Sequence, residues 1–331
     1  MKRFNFDPND ILQQKSKNRF SFPFNGEGDV KNWIDRVKPY AYFIHDIYFA
    51  CPNVVNFFSN RMVKDYSNKC IELCNLLEKN DWHPNCVVVL NDNTPKALSE
   101  KKELIKIVID FIDRYNIYGC VVSDFDIACM LKELRPNVVL NTSCNVPQYQ
   151  ISSLDCWRDF ANITLVNPNR PMARNIPYLK KLKNAGYKIK LLINEKCSII
   201  CPNYICSCSR FEQDSQCAAY VCKTTPLQSC IVLPRWLNEL DEYVDIYKLT
   251  GRMFKLDYVL NQLELYILRT DNCLYNELHQ GCNIPLNCKD IPDHLLHCNY
   301  TNCNQCGKCK KLMIKFAKSY IKTLPNVIFT P

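Results

Sequence analysis

Short runs of nearly continuous apolar residues alternate along the chain with longer segments whose apolar residues recur every three or four positions. The short runs predict strands buried on both faces, as in a parallel sheet, and the longer segments predict amphipathic helices. Strands are predicted at residues 41–49, 86–90, 117–123, 137–141, 163–166, 188–193 and 244–248. Helices are predicted at residues 60–79, 99–115, 124–134, 177–185 and 252–268.

These repeated strand and helix units predict an α/β fold, and their number favours a (β/α) barrel-like parallel sheet. Only seven strands are clear, so closure with an eighth is an inference. An incomplete or distorted barrel is one variant of this prediction, and an open, doubly wound sheet is the structural alternative. We expect an irregular leader at 1–36, a barrel-like catalytic domain at 37–270 and a cysteine-rich extension at 271–331.

Polar residues follow most of the predicted strands, and ligand sites form at the carboxyl ends of parallel strands. The residues at these positions are Asn91, Asp92, Ser123, Asp124, Asn141, Ser143, Asn167, Arg170, Asn194, Glu195, Lys248, Gly251 and Arg252. Any one of them could be only a cap or a turn residue, and Asp124 has good N-cap chemistry. Their convergence on one rim predicts a site there.

Composition is ordinary for a soluble globular protein, with 47% hydrophobic and 23% charged residues in 331. The seven glycines form no Gly-rich phosphate loop, and no apolar run reaches the roughly 18 residues of a membrane span. A cytoplasmic protein is therefore expected. In a reducing cytosol, closely spaced cysteines are typical of metal ligands or catalytic groups, not of disulfides.

The net charge of +9 would suit an anionic partner. However, the basic residues are scattered, apart from short runs at 180–183, 188–190 and 308–311. Solvated faces of helices would produce the same pattern, and this interpretation is favoured over nucleic-acid binding.

Most of the 22 cysteines lie between Cys197 and Cys309, in two clusters. The first begins with Cys197-x3-Cys201, directly after a predicted buried strand, so its thiols would stand at the rim. Four thiolates usually hold an iron–sulfur cluster, and Cys217 and Cys230 are our choices for the other two ligands. The competing thiols are Cys206, Cys208 and Cys222. The spacing does not match the CxxxCxxC pattern of radical S-adenosylmethionine enzymes.

The second cluster has x4, x2 and x2 spacings, in Cys298, Cys303, Cys306 and Cys309. Such spacing suits an iron–sulfur cluster or a closed tetrahedral zinc site, so one [4Fe-4S] cluster or two are predicted, with zinc as the alternative here. The isolated cysteines occupy mostly apolar positions and are interpreted as small core residues. They are Cys51, Cys70, Cys74, Cys86, Cys120, Cys129, Cys144 and Cys156.

Three segments together resemble the collagenase-like peptidase U family, its thirty-second group. They are Leu192-Ile-Asn194-Glu195-x-Cys197-x3-Cys201-Pro202, Cys230-Ile-Val-Leu-Pro234 and Asp245-Ile-Tyr-Lys248-Leu-Thr-Gly251-Arg252. The resemblance covers roughly residues 37–270, and Cys306-Gly-Lys-Cys309 is similar to a cysteine-rich tail on some members. It implies a barrel with a four-iron cluster and oxygen-independent hydroxylation of a quinone precursor or RNA bases, with prephenate as oxygen donor in some members.

The leading hypothesis is therefore a cytosolic iron–sulfur redox enzyme, most directly an oxygen-independent hydroxylase. In it Asn194 and Glu195 shape the edge of the cluster, while Lys248 and Arg252 bind an anionic group or form a structural ion pair. Peptidase activity is not favoured, since no Ser-His-Asp arrangement or HExxH motif is present. The substrate would be RNA, a small molecule or a peptide, with an electron donor protein as a further partner. The alternatives are a ribosomal-peptide-modifying enzyme and a zinc-stabilised nucleic-acid-binding protein.

Overall fold

The computed structural model describes residues 4–52, 54, 65–91, 96–146, 148, 150–195, 226–252, 254–278, 286–298 and 303–323. Its strands are β1 Phe20–Pro23, β2 Ile44–Ala50, β3 Asn85–Leu90, β4 Gly119–Val122, β5 Val139–Thr142, β6 Leu165–Val166, β7 Lys188–Leu192 and β8 Ile246–Lys248. Its described helices are α1 Ile11–Lys15, α2 Val30–Val37, α3 Tyr66–Glu78, α4 Leu98–Tyr115, α5 Phe125–Leu134, α6 Ile151–Ala161, α7 Ile176–Asn184, α8 Leu237–Leu240, α9 Leu256–Leu268, α10 Tyr275–Leu278, α11 Cys303–Cys306 and α12 Lys308–Thr323.

The eight strands form one closed parallel barrel in chain order. Each strand pairs with the next, and β8 returns to β1 with Phe20 opposite Tyr247 and Ser21 opposite Lys248. Helices lie between most successive strands, as parallel crossovers require. The predicted (β/α) barrel is therefore confirmed, and it is closed with eight strands.

The eighth strand comes from the segment that the sequence predicts to be an irregular leader. Residues 11–37 contain α1, β1 and α2, and β1 pairs with both β2 and β8. The expectation of an irregular leader is wrong for these residues. The strand was missed because it has four residues, too few to show a period of their own, and polar and glycine residues surround it.

The other strands and the helices with strong periodicity lie close to their predicted positions. The α4 helix begins one residue before its predicted start, and α5 begins directly after Asp124. As predicted, Asp124 is an N-cap, and its carboxylate accepts a bond from the amide of Ile127 at 3.1 Å. The α7 helix ends before Gly186, which has a φ of +85° that a side chain would disfavour.

The barrel has two apolar regions. The larger lies between strands and helices and includes fully buried side chains such as Trp33, Phe49 and Leu182. A smaller, separate cluster fills part of the interior, formed by Tyr48, Val87, Val89 and Val121. Most of the isolated cysteines lie in or against the larger core, as the sequence indicates, whereas Cys156 is exposed.

The described part of the predicted cysteine-rich extension packs on the barrel. Cys288, Leu295 and Met313 are buried in the larger core. Arg235, which lies before α8, pairs with Asp293 and with Asp271 at 2.6 Å each. No helix among the described residues is long and apolar enough to cross a membrane.

Candidate active site at the mouth of the barrel

An ion pair crosses the barrel interior. Lys190 Nζ lies 2.7 Å from Asp46 Oδ2, and both side chains are fully buried. Lys190 is on β7 and Asp46 on β2, and two strands separate them in the sheet, so the contact has to run through the interior. Ser21 donates a 2.5 Å hydrogen bond to the other carboxylate oxygen of Asp46.

The Asp46 carboxylate is held in its ionised form. Burial alone would raise its pKa, because a charge is poorly solvated inside a protein. The charges and hydrogen bonds of Lys190 and His45 outweigh burial and hold the pKa of Asp46 well below its usual range. The carboxylate is thus already paired with Lys190, Ser21 and His45.

Lys248 lies at the carboxyl end of β8, beside this pair. Its Nζ atom is 4.2 Å from the centroid of the Tyr48 ring, a cation–π distance. Within the described part of the chain this ammonium makes neither a hydrogen bond nor an ion pair. Burial, with the positive charge of Lys190 next in size, lowers the pKa of Lys248 to about 7. The surroundings of this amine therefore favour its neutral form.

Arg252 reaches the same aromatic ring from the turn after β8. Its guanidinium carbon is 5.9 Å from the Tyr48 centroid. One of its terminal nitrogens is buried and has no hydrogen-bond partner among the described residues. Buried donors are normally paired, so such an atom at the end of a barrel strand indicates a ligand-binding role.

Three acceptor atoms near the same end of the barrel are also buried without a hydrogen-bond partner among the described residues. Asn91 follows β3, Gln148 follows β5 and Asn167 follows β6, and the side-chain oxygen of each is buried without a partner in the described structure. The amide nitrogen of Gln148 is used, because it donates to Thr142 and to the Asn167 carbonyl at 3.0 Å each. The mouth therefore combines fixed polar groups with unsatisfied ones.

Glu195 and Arg170 join neighbouring strand ends on one side of the mouth. Arg170 Nε lies 3.9 Å from a carboxylate oxygen of Glu195. A terminal nitrogen of Arg170 donates to Asn145 at 2.5 Å. Both charged side chains are largely buried, so Glu195 stands at the mouth as a positioned carboxylate.

Cys230 lies beside Glu195 and Arg170, in a segment before α8 that runs along the end of β7. The amide of Val232 donates to the carbonyl of Ile193 at 2.8 Å, which places the segment along the strand end. Arg174 is buried and donates to the carbonyls of Leu227 and Ser229, at 3.1 and 2.7 Å. The Cys230 side chain is fully buried as a result.

The charges around Cys230 have opposing effects on the pKa of its thiol. Burial and then the nearby Glu195 raise the pKa of its thiol well above the usual value, while Arg174 and Arg170 oppose that rise. The two arginines therefore offset part of this rise, but the net effect favours the neutral thiol.

Asn194 is part of a structural network. Its amide nitrogen donates to the Thr250 carbonyl at 3.0 Å and to Gln262 at 2.7 Å. Its oxygen accepts from the amide and hydroxyl of Thr250, at 2.6 and 3.0 Å. Both polar atoms are thus used to join the ends of β7 and β8 to α9, and the edge-shaping role expected for Asn194 stays a prediction.

Several other rim residues have structural contacts. Asn141 accepts a 2.9 Å bond from Asn167, which ties β5 to β6. Asp124 pairs with Lys101 at 2.7 Å in addition to capping α5. A Cβ atom at Gly251 would lie 2.7 Å from the Val259 side chain, so close packing of this turn against α9 requires glycine.

The predicted metal ligands are only partly within the described residues. Cys197, Cys201 and Cys217 lie outside them, with the competing thiols Cys206, Cys208 and Cys222. Cys298 and Cys309 are half-buried and Cys306 is exposed, whereas Cys303 is described only as the start of α11. No three His, Cys, Asp or Glu side chains of the described ranges are grouped as metal ligands. Both predicted metal sites stay predictions.

Sequence reasoning missed the interior half of this site. Asp46, Tyr48 and Lys190 lie inside predicted strands, and rules for strand ends do not select them. The sequence predicts that the basic run 188–190 is solvated, yet only Lys188 is exposed and Lys190 is buried. A charged residue within a continuous apolar strand was the available signal, because burial of a lone charge is costly.

The comparisons with known proteins give fold-level likeness alone. No family model matches the chain, and no curated protein matches it. A solved U32 peptidase, Mk0906, is similar over 76% of this chain and 97% of its own, with 10% identity and a TM-score of 0.49. The intracellular xylanase TsXylA from Thermoanaerobacterium saccharolyticum is similar over 75% and 90%, with 11% identity and a TM-score of 0.41. The family resemblance drawn from the sequence motifs stays a prediction.

Proposed function

We propose that this protein is an iron–sulfur-dependent redox enzyme that modifies an anionic substrate at the barrel mouth, most directly by oxygen-independent hydroxylation. The observation that carries the proposal is the position of Cys230. This buried thiol lies at the carboxyl ends of the strands, beside Glu195, Arg170 and Arg174. That end of a barrel is where catalytic residues gather in enzymes of this architecture.

One candidate ligand of such a cluster, Cys230, lies among the described residues. Thiolates carry the negative charge of the ligand set, and the charges of Arg170 and Arg174 offset part of the effect of burial and of Glu195, which together raise the pKa of the Cys230 thiol. In the proposal Cys197, Cys201 and Cys217 supply the other three ligands. When bound, a [4Fe-4S] cluster supplies one-electron transfer. The second predicted cluster or zinc site, at Cys298, Cys303, Cys306 and Cys309, is part of the same proposal.

The protein's own residues give the mouth its selectivity. Arg252 and Lys248 present cationic or donor groups to an incoming anion, and the Tyr48 ring lies beneath both. The fixed pair of Lys190 and Asp46 closes the interior below them. The carboxylate of Glu195 is oriented by Arg170 at the edge of the site.

The substrate class follows from this charge pattern. An RNA base within a phosphate backbone, a carboxylated small molecule or a quinone-like precursor would each bring an anionic group to the mouth. An electron donor protein is a further partner in the proposal, because redox turnover needs a source of electrons.

Metal analysis of anaerobically purified protein tests the proposal. We expect a brown protein with at least four irons per chain, the number in one [4Fe-4S] cluster, and a cluster signal in electron paramagnetic resonance after reduction. The Cys230→Ser variant should lose most of the iron of the mouth cluster. Cys120→Ser is the matched control, because Cys120 is equally buried but lies within β4.

Two results would overturn this proposal. One is a colourless protein that carries stoichiometric zinc and no iron under anaerobic conditions. The other is equal iron content in the Cys230→Ser and Cys120→Ser variants, which would remove Cys230 from the ligand set.

A further inference from the structure

Among the described residues, two lysines and one carboxylate lie on the strands with their side chains in the barrel interior. Asp46 is the carboxylate, and Lys190, Ser21 and His45 already surround it. Lys248 is nine-tenths buried and, among the described residues, is left with the face of Tyr48. A buried lysine without a counterion is costly to the fold, so its presence requires another explanation.

The groups that face Lys248 come from four parts of the barrel. They are Asp46 and Tyr48 on β2, Cys144 after β5, Lys190 on β7 and Arg252 after β8. Burial has the largest effect on the amine, and Lys190 and Arg252 add to it by repulsion. Cys144 and Asp46 act in the opposite direction but do not restore an ordinary pKa. A desolvated lysine next to other cations is an activated nucleophile.

We propose that Lys248 forms an imine with the carbonyl carbon of a 2-oxo carboxylate, whose carboxylate group is bound by Arg252. Both side chains lie over the Tyr48 ring at the end of β8. The guanidinium nitrogen that lacks a partner in the described structure supplies a donor for the carboxylate. The inference rests on the mouth as the active site of the proposed enzyme, but not on its iron.

The step balances without an oxidant or reductant. The lone pair of the neutral amine attacks the carbonyl carbon, and a carbon–nitrogen bond forms. The carbonyl oxygen then leaves as water with the two hydrogens of the amine, and the product is the imine. On protonation the nitrogen becomes cationic again, and it remains over the negative face of the Tyr48 ring.

Tyr48 acts as a platform in this arrangement. Its hydroxyl donates a 2.5 Å hydrogen bond to the carbonyl of Leu249, which fixes the ring under the amine. Burial is the main reason that the pKa of Tyr48 is raised, so the phenol keeps its proton. Because that proton is held by a backbone carbonyl, the ring supplies orientation and not acid catalysis.

Reductive trapping tests the proposal, with pyruvate as the probe. The anaerobically purified full chain is incubated with pyruvate and cyanoborohydride at pH 7, and the adducts are located by peptide mass spectrometry. We expect Lys248 to be modified at least about tenfold faster than any exposed lysine, since an ordinary lysine with a pKa near 10.4 is almost wholly protonated at this pH. Lactate, which lacks the carbonyl, should give no adduct.

Three variants sharpen the result. Lys248→Arg keeps the charge but should abolish the dominant adduct, and Arg252→Gln should slow trapping of pyruvate more than trapping of acetone, which has no carboxylate. Lys188→Arg is the control, because Lys188 is exposed at the opposite end of β7. Circular dichroism reports whether each variant is folded.

Adduct formation spread over exposed lysines, or undiminished in Lys248→Arg, would overturn the proposal. If that variant does not fold, the pH dependence of trapping in the wild-type chain still tests the proposal. Trapping at Lys248 should rise with pH and level off above about 7, whereas a rise that continues toward 10 would contradict an activated amine. None of these readouts depends on iron, so the cluster proposal can fail separately.

Discussion

At the scale of single residues, the interior of the barrel carries an imbalance of charge. One carboxylate, Asp46, faces two lysines, and it pairs with Lys190 at 2.7 Å. Breaking a buried pair typically costs about 3–5 kcal/mol, so Asp46 and Lys190 are tied to each other by the fold. Of these three residues, Lys248 is the one whose protonation state can change when a ligand binds.

Replacement of Lys248 by methionine should stabilise the protein at neutral pH. The folded state releases its proton near pH 7, whereas the unfolded chain keeps it up to the ordinary value near 10.5. Unfolding therefore takes up a proton in this window, and stability rises with pH across it. We expect Lys248→Met to gain about 4 kcal/mol at pH 7 by urea denaturation, with the gain shrinking as the pH approaches 10.

The control for this measurement is Lys188→Met, which changes an exposed lysine and should shift stability by less than about 0.5 kcal/mol. A loss of stability in Lys248→Met at pH 7 would mean that the buried amine has a partner that favours its charged form.

At the scale of secondary structure elements, the strand ends are joined by side chains. Asn194 connects β7 with Thr250 after β8 and with Gln262 on α9. Gln262 in turn donates to the carbonyl of Leu278 on α10 at 3.1 Å. This network holds the ends of three elements at the mouth in one geometry, on which the position of Lys248 depends.

Replacement of Asn194 by alanine should destabilise the fold by about 3 kcal/mol, because it leaves buried donors and acceptors of Thr250 and Gln262 unpaired. Equilibrium unfolding in urea measures the change. Asn175→Ala is the comparison, since Asn175 caps α7 and makes a further bond only to the Met172 sulfur at 3.4 Å, so its loss should cost about 1 kcal/mol. If Asn194→Ala unfolds like wild type but loses activity, the network is dispensable and the predicted edge-shaping role is favoured.

The sequence predicts helices and strands correctly where burial of one face produces a long or uniform pattern of apolar residues. The helices α4 and α5 were placed to within a residue, because each buries one face over several turns. The sequence does not predict the α6 helix, and it does not predict β1, whose four residues are too few to carry a periodic signal. Strand-end rules found Glu195, Lys248 and Arg252. They could not find Asp46 or Lys190, because the pairing of these residues is set by closure across nonadjacent strands.

At the scale of the whole molecule, the barrel closes through its first strand. Arg19, just before β1, reaches Asp241 at 2.7 Å, and Asp241 also pairs with Arg269 at 2.6 Å. The two ends of the barrel sequence are thus joined by backbone pairing and by charge. Residues that the sequence marked as a leader are part of the closure.

Removal of residues 1–28 should therefore abolish cooperative unfolding, because β2 and β8 would each lose a neighbour. Removal of residues 1–9 is the matched control. It deletes the contacts of Phe4 with Tyr40 and of Phe6 with Phe43 but leaves β1, so the chain should stay folded with a lower melting temperature. Thermal unfolding followed by circular dichroism distinguishes the two. A cooperative transition in the longer deletion would show that seven strands are sufficient.

The late closure of the barrel has a consequence for biosynthesis. Arg19 and Asp241 are separated by 222 positions in the chain, so β1 emerges from the ribosome long before β8 has been translated. During that interval one edge of the nascent sheet has no neighbour, and open strand edges invite pairing with other chains. Only four residues of β1 are exposed to this hazard. Because β1 is so short, the sequence pattern does not reveal it. For the same reason, it offers few backbone groups for aggregation with other chains while the chain is being synthesised.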